Sequence, residues 1–116
     1  IGSEPLDLAR KIEKARDLRG SRMIIALAPC PTGWNYDPKD SVEIGRLAVK
    51  TGIWPLKEYI DGEVIHTRVP RERAPVEDYL RLKGRFAHLF TPRQDSATIA
   101  DIQARVDSYW DKVVQG

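Results

Sequence analysis

The chain has 116 residues, 41% hydrophobic and 31% charged, and its 19 basic and 17 acidic side chains leave a net charge of only +2. That length allows at most one domain, and the even charge balance gives no electrostatic footprint for a nucleic-acid partner. No apolar run approaches a membrane span, and a single cysteine excludes an internal disulfide framework.

The start, Ile1-Gly2-Ser3-Glu4-Pro5, has neither the basic residues nor the apolar core of a signal peptide. With the lone thiol, this predicts a reducing, cytoplasmic setting. Glu4 to Arg19 reads as an amphipathic helix, with Ser3 as its cap, Pro5 in its first turn and Gly20 as its stop. Leu8, Ile12 and Ala15 share its apolar face. Met23-Ile24-Ile25-Ala26-Leu27-Ala28 follows as a continuous apolar run, the pattern of a strand buried on both faces of a parallel sheet. Pro29 cannot donate to a ladder, so the strand should stop there. Pro31 and Gly33 then turn the chain sharply around Cys30. One such strand has no parallel neighbour in this sequence, so its sheet must be supplied from elsewhere.

Asp40 and Glu43 are spaced as a capping box for a helix that ends at Gly52 and buries Ile44, Leu47 and Ala48. Gly45 in its middle predicts close packing by a neighbour. Ile53 to Ile60 and Val64 to Val69 flank Asp61-Gly62, a strong two-residue hairpin signal. Pro55 puts the first strand at an edge. Pro75 opens a third helix carrying Val76, Tyr79, Leu80, Phe86 and Ala87, loosened near Gly84 and ended at Thr91-Pro92. Ser96 caps a last helix whose stripe is Ile99, Ile102, Val106, Tyr109 and Val113.

The expected fold class is α/β. Residues 1–34 form the last helix and strand of a parallel-sheet domain, and residues 35–116 form a mostly helical extension with a small β-hairpin. So little independent core suggests an extension that wraps a larger body.

Cys30 is the first place to look for chemistry. A free cysteine at a strand end is more often a packing residue than a reactive one. A nucleophile would need a positioned base, and neither His66 nor His88 sits in a motif that delivers one. One thiolate and two scattered histidines cannot complete a metal site at any usual ligand spacing. His66 and His88 read as structural, and the tryptophans and tyrosines as packing anchors. A free-standing interaction module with a structural Cys30 is therefore one reading. It requires the apolar strand to be covered by the chain's own helices.

The other reading comes from a resemblance. Pro29-Cys30-Pro31-Thr32-Gly33-Trp34, then Ile44-Gly45-Arg46-Leu47-Ala48-Val49-Lys50-Thr51-Gly52-Ile53-Trp54-Pro55-Leu56, then Pro75-Val76-Glu77-Asp78-Tyr79-Leu80 and Gly84-Arg85-Phe86 resemble the thiamine-diphosphate-binding beta subunit of 2-oxoacid:ferredoxin oxidoreductases of the pyruvate synthase type. The resemblance runs from the first helix to the last. It implies an enzyme that oxidatively decarboxylates a 2-oxoacid with coenzyme A and passes electrons from thiamine diphosphate through 4Fe-4S clusters to ferredoxin. It implies that Cys30 is a ligand of the cluster nearest thiamine, with its companion cysteines on other segments. The Gly-Asp-Gly segment that holds the Mg2+ of thiamine diphosphate in such subunits is absent here. Thiamine diphosphate and Mg2+ would thus belong to the complete subunit and not to this segment alone. The implied partners are the rest of the beta subunit, the other oxidoreductase subunits and ferredoxin. Pyruvate is the expected substrate, with oxalate or branched 2-oxoacids as alternatives.

Overall fold

A computed structural model describes all 116 residues, Ile1–Gly116. The elements are helix α1 (Pro5–Asp17), a single helical turn α2 (Pro31–Trp34), a 3-10 turn (Pro38–Asp40), helix α3 (Ser41–Lys50), strands β1 (Lys57–Ile60) and β2 (Glu63–His66), helix α4 (Val76–Arg81), a 3-10 stretch (Gly84–Leu89) and helix α5 (Ser96–Gln115).

The core lies between α3, α4 and α5. Helix α3 buries Ile44, Leu47 and Ala48 as its periodicity predicts, with Gly45 and Val49 beside them. Val76, Tyr79 and Leu80 of α4 and Ile99 of α5 join the cluster, with Ile1, Leu56 and Leu89 from outside these helices. Gly45 is where the amino-terminal segment crosses, and a Cβ there would meet Ser3 Oγ at 2.8 Å. The chain passes over α3 closely because no side chain stands in its way. The expected close neighbour of Gly45 is thus Ser3.

Trp110 locks the three parts together. It is 1% exposed, and its indole N–H donates to Gly52 O at 2.9 Å. Gly52 closes α3 with φ +80°, a conformation that disfavours a side chain, and a Cβ there would collide with the indole. The expected apolar stripe of α5 is shifted by one position at this end: Trp110 is the buried ring and Tyr109 lies half-buried beside it.

The hairpin forms as predicted but shorter, because the residues from Ile53 to Leu56 pack on the core before the ladder begins. Its register pairs Lys57 with His66 and Ile60 with Glu63. Asp61 (φ 50°) and Gly62 (φ 82°) both adopt the left-handed conformation that the tight turn requires.

Several caps differ from expectation. Ser3 does not cap α1; Glu4 occupies that position without a side-chain bond, and the helix ends at Asp17. Asp40 likewise precedes α3 without a side-chain cap bond, while Asp37 accepts from Lys39 N–H in the 3-10 turn before it. Asp95, one residue ahead of Ser96, accepts from Thr98 N–H and caps α5. The third predicted helix divides into α4 and the 3-10 stretch at Gly84.

The largest departure concerns the apolar run from Met23 to Ala28. It forms no ladder, and the only sheet in the chain is the antiparallel pair β1–β2. Met23 is 83% exposed and Ile25 is 70% exposed. The buried strand expected here does not form within this chain, because no second strand offers its backbone groups to this run. Helix α1 buries no residue fully. It is held by Lys14–Glu58 at 2.6 Å and Arg68–Glu4 at 2.8 Å, contacts of the kind that stabilise little. The radius of gyration, 15.9 Å, exceeds the ~13 Å of a compact chain of this size. The interaction-module reading required helices to cover the Met23–Ala28 run, and they do not.

Trp110→Ala should destabilise the chain by about 3–5 kcal/mol, the usual cost of emptying a large aromatic site. Leu6→Ala, on the exposed face of α1, should change stability by less than about 0.5 kcal/mol. Urea unfolding followed by circular dichroism checks both.

Candidate functional site: the cysteine turn and its cationic backing

Pro29 and Pro31 flank Cys30, so the flanking backbone carries no donor there and is stiff in φ. Pro31 suits the first position of a helix, and one turn, α2, follows. Trp34 N–H donates to Cys30 O at 2.9 Å and closes that turn. Gly33 N–H donates to the Cys30 sulfur at 3.3 Å. A Cβ on Gly33 would lie 3.4 Å from Sγ, so glycine lets the amide approach the sulfur. Cys30 is exposed and free, not sealed in an apolar pocket as a packing cysteine would be. The Gly33 N–H is thus aimed at that exposed sulfur as a hydrogen-bond donor.

The turn is clamped from behind by residues 83–86. Asn35 ends α2 in the left-handed conformation, φ 55°, and its carbonyl accepts from Gly84 N–H at 2.6 Å. Any side chain on Gly84 would overlap Asn35. Gly84 is therefore required by this crossing, which is why the predicted third helix breaks there.

Either side of Gly84 stands a cation. Lys83 is 1% exposed, and its Nζ has no hydrogen-bond acceptor. It lies 3.1 Å from the Tyr79 ring centre, 4.8 Å from Phe86 and 5.1 Å from Trp34. Arg85 is exposed, with its guanidinium 4.6 Å from the Trp34 ring. Neither cation forms a salt bridge. Burial, reinforced by the charge of Arg85, pulls the Lys83 ammonium down to about 7. The same burial pushes the Tyr79 phenol up.

Sequence reasoning missed Lys83 and Arg85. A signal was present: Val76, Tyr79, Leu80 and Lys83 fall at i, i+3, i+4 and i+7, which puts the lysine on the apolar face.

The histidines lie away from this turn. His66 bonds Tyr109 Oη at 2.7 Å and packs edge-on against Trp110. Burial, then the nearby Lys57, lowers its basicity. His88 is exposed on the 3-10 stretch. No group of three or more His, Cys, Asp or Glu residues in the chain could hold a metal ion. The donor set fits a single thiolate ligand to a shared centre. It does not fit the Mg2+ of thiamine diphosphate.

No protein-family model matches the chain. It is 45% identical over 103 residues to the pyruvate synthase subunit PorB of Methanosarcina barkeri, covering 89% of this chain and 35% of that protein. It is 39% identical over 113 residues to the pyruvate synthase subunit PorB of Thermotoga maritima, covering 97% of this chain and 35% of that protein. The chain belongs to the PorB and VorB subunit family. The ketoisovalerate oxidoreductase subunit VorB of Pyrococcus furiosus is 44% identical over 87 residues, covering 73% of this chain and 28% of that protein. The chain spans about a third of the length of the relatives it matches and aligns with their carboxyl-terminal part. Relatives matched over 97% of the chain include the cysteine turn in the matched stretch.

Lys83 sets a pH dependence of stability. Its folded pKa is depressed, so between about 7 and the unfolded value of 10.5 the unfolded chain binds a proton that the folded chain does not. Stability should therefore rise with pH from about 7 to about 10, by up to about 1 kcal/mol per unit, and be flat in this respect below 7. Lys83→Met should abolish the slope and raise stability at pH 7, since an unpaired buried amine is replaced by an apolar chain of similar length. Urea midpoints at pH 7, 8 and 9 read both effects.

Proposed function

We propose that this chain serves as the carboxyl-terminal part of a beta subunit of a 2-oxoacid:ferredoxin oxidoreductase. Its enzyme oxidatively decarboxylates pyruvate with coenzyme A and delivers the electrons to ferredoxin. The observation that carries this reading is the 45% identity to a PorB subunit over 89% of the chain. The 44% identity to a VorB subunit favours a branched 2-oxoacid as the second reading for the substrate.

In this reading Cys30 gives one thiolate to a 4Fe-4S cluster whose other ligands lie on other segments, as is usual for such clusters. A cluster held there would carry single electrons between thiamine diphosphate and ferredoxin. The chain's own contribution is positional. Pro29, Pro31 and the Trp34–Cys30 hydrogen bond present the sulfur at the surface, and Gly33 N–H bonds it. Hydrogen bonds of that kind to ligating sulfur tune reduction potential.

The exposed run at Met23–Ala28 supports the same reading. With α1 and β1, its first three residues line a groove of about 640 Å³ that includes Leu8, Ile25 and Trp54. In the complete subunit the run would add a strand to the parallel sheet of the thiamine domain, placing residues 1–34 in that domain and residues 35–116 outside it. The lone reduced thiol suits a cytoplasmic enzyme, and no helix is long and apolar enough to cross a membrane.

Cys30→Ser in the assembled oxidoreductase should alter or remove one cluster, read as iron content and electron paramagnetic resonance spectrum. An unchanged spectrum and iron content would refute the ligand role. Ile25→Asp should prevent the full-length subunit from folding, because it puts a charge into the proposed sheet. Soluble, assembled Ile25→Asp enzyme at normal yield would contradict the proposed sheet.

A further inference from the structure

We propose that Lys83, with Arg85 beside it, supplies a positive charge behind the cysteine turn that stabilises an anionic group ligated at Cys30. This rests on the reading of Cys30 as a cluster ligand and adds a charge-setting residue to it.

Within the chain itself Lys83 has no electrostatic justification. Its ammonium is buried, accepts no counter-ion and reaches no hydrogen-bond acceptor. The ring faces of Tyr79, Phe86 and Trp34 return part of the lost hydration through cation–π attraction. An apolar residue would fill the same space without the desolvation cost. In the chain alone that burial brings the ammonium down to about 7; an anion ligated at Cys30 would favour its charged form, and low surrounding polarity would screen that charge weakly.

Its location says where it acts. Trp34, one wall of the cage, stands one helical turn from Cys30 and is bonded to it through the backbone. The Gly84–Asn35 hydrogen bond fixes the segment carrying both cations against the turn. Arg85 covers the same Trp34 ring without pairing with a carboxylate. Two unpaired cations are thus held against one turn whose exposed feature is a sulfur. A thiolate-ligated iron–sulfur cluster is an anion that gains a further negative charge on reduction. A fixed cation nearby favours the reduced form and raises the potential. Lys83 is a positioning residue here, since it acts through the field and through Trp34 without touching the ligated group.

The test is a redox titration of the assembled oxidoreductase followed by electron paramagnetic resonance. Lys83→Met should shift the midpoint potential of one cluster to a more negative value with iron content unchanged. Lys83→Arg should restore most of the shift. Arg85→Gln, an exposed position where folding is not at stake, should shift the same cluster in the same direction by less. If Lys83→Met disrupts assembly, Arg85→Gln decides. Unchanged potentials in every intact variant, with Cys30→Ser still altering a cluster, would overturn the role of Lys83 while leaving the ligand reading in place. An unaltered cluster in Cys30→Ser would remove both.

Discussion

Trp110 meets Gly52 in a contact on which the arrangement of the whole chain depends. The indole fills the space that any side chain at Gly52 would need and bonds the carbonyl that ends α3. His66 of β2 packs on the same ring. One side chain near the end of α5 therefore sets where α3 stops and where the hairpin starts. From that frame α4 and the 3-10 stretch take their places, and residues 83–86 come to lie under the cysteine turn.

The molecule divides by how well it is buried. Residues 41–110 hold a continuous core, with Ile44 and Ala48 fully enclosed. Of the first 28 residues only Ile1 is buried in it, with Leu27 packed against its edge. Helix α1 is attached by the Lys14–Glu58 ion pair and by Thr67 Oγ1 donating to Asp7, and the run after it exposes three large apolar side chains in succession, Met23, Ile24 and Ile25. Exposed contiguous apolar surface of this kind marks an interaction site.

The cysteine turn stands between these two regions. Its local geometry comes from two prolines and a glycine, and its position comes from the clamp behind it. Lys83 and Gly84 both oppose stability or regularity: one buries an unpaired amine, the other breaks a helix. Both are accounted for by the crossing at Asn35 and Trp34. Departures from local rules concentrated at one place are what a functional site produces.

Periodicity and turn chemistry determined α3, α5 and the Asp61-Gly62 hairpin, because each pattern is satisfied by contacts a few residues away or by one buried face. They also marked Cys30 as a thiol in a sharp turn between prolines, and Gly45 as a point of close approach; that the thiol is exposed came from the structure. Tertiary structure alone decided the rest. The cap of α5 moved to Asp95 and the third helix broke at Gly84, since the Asn35 carbonyl claims the Gly84 amide from 49 residues away in sequence. Lys83 was drawn onto an apolar face by its spacing, but its cage joins rings from α2, α4 and the 3-10 stretch. The apolar run from Met23 to Ala28 has a strand's sequence but no ladder, because a strand exists only when a second backbone meets it, and none in this chain does.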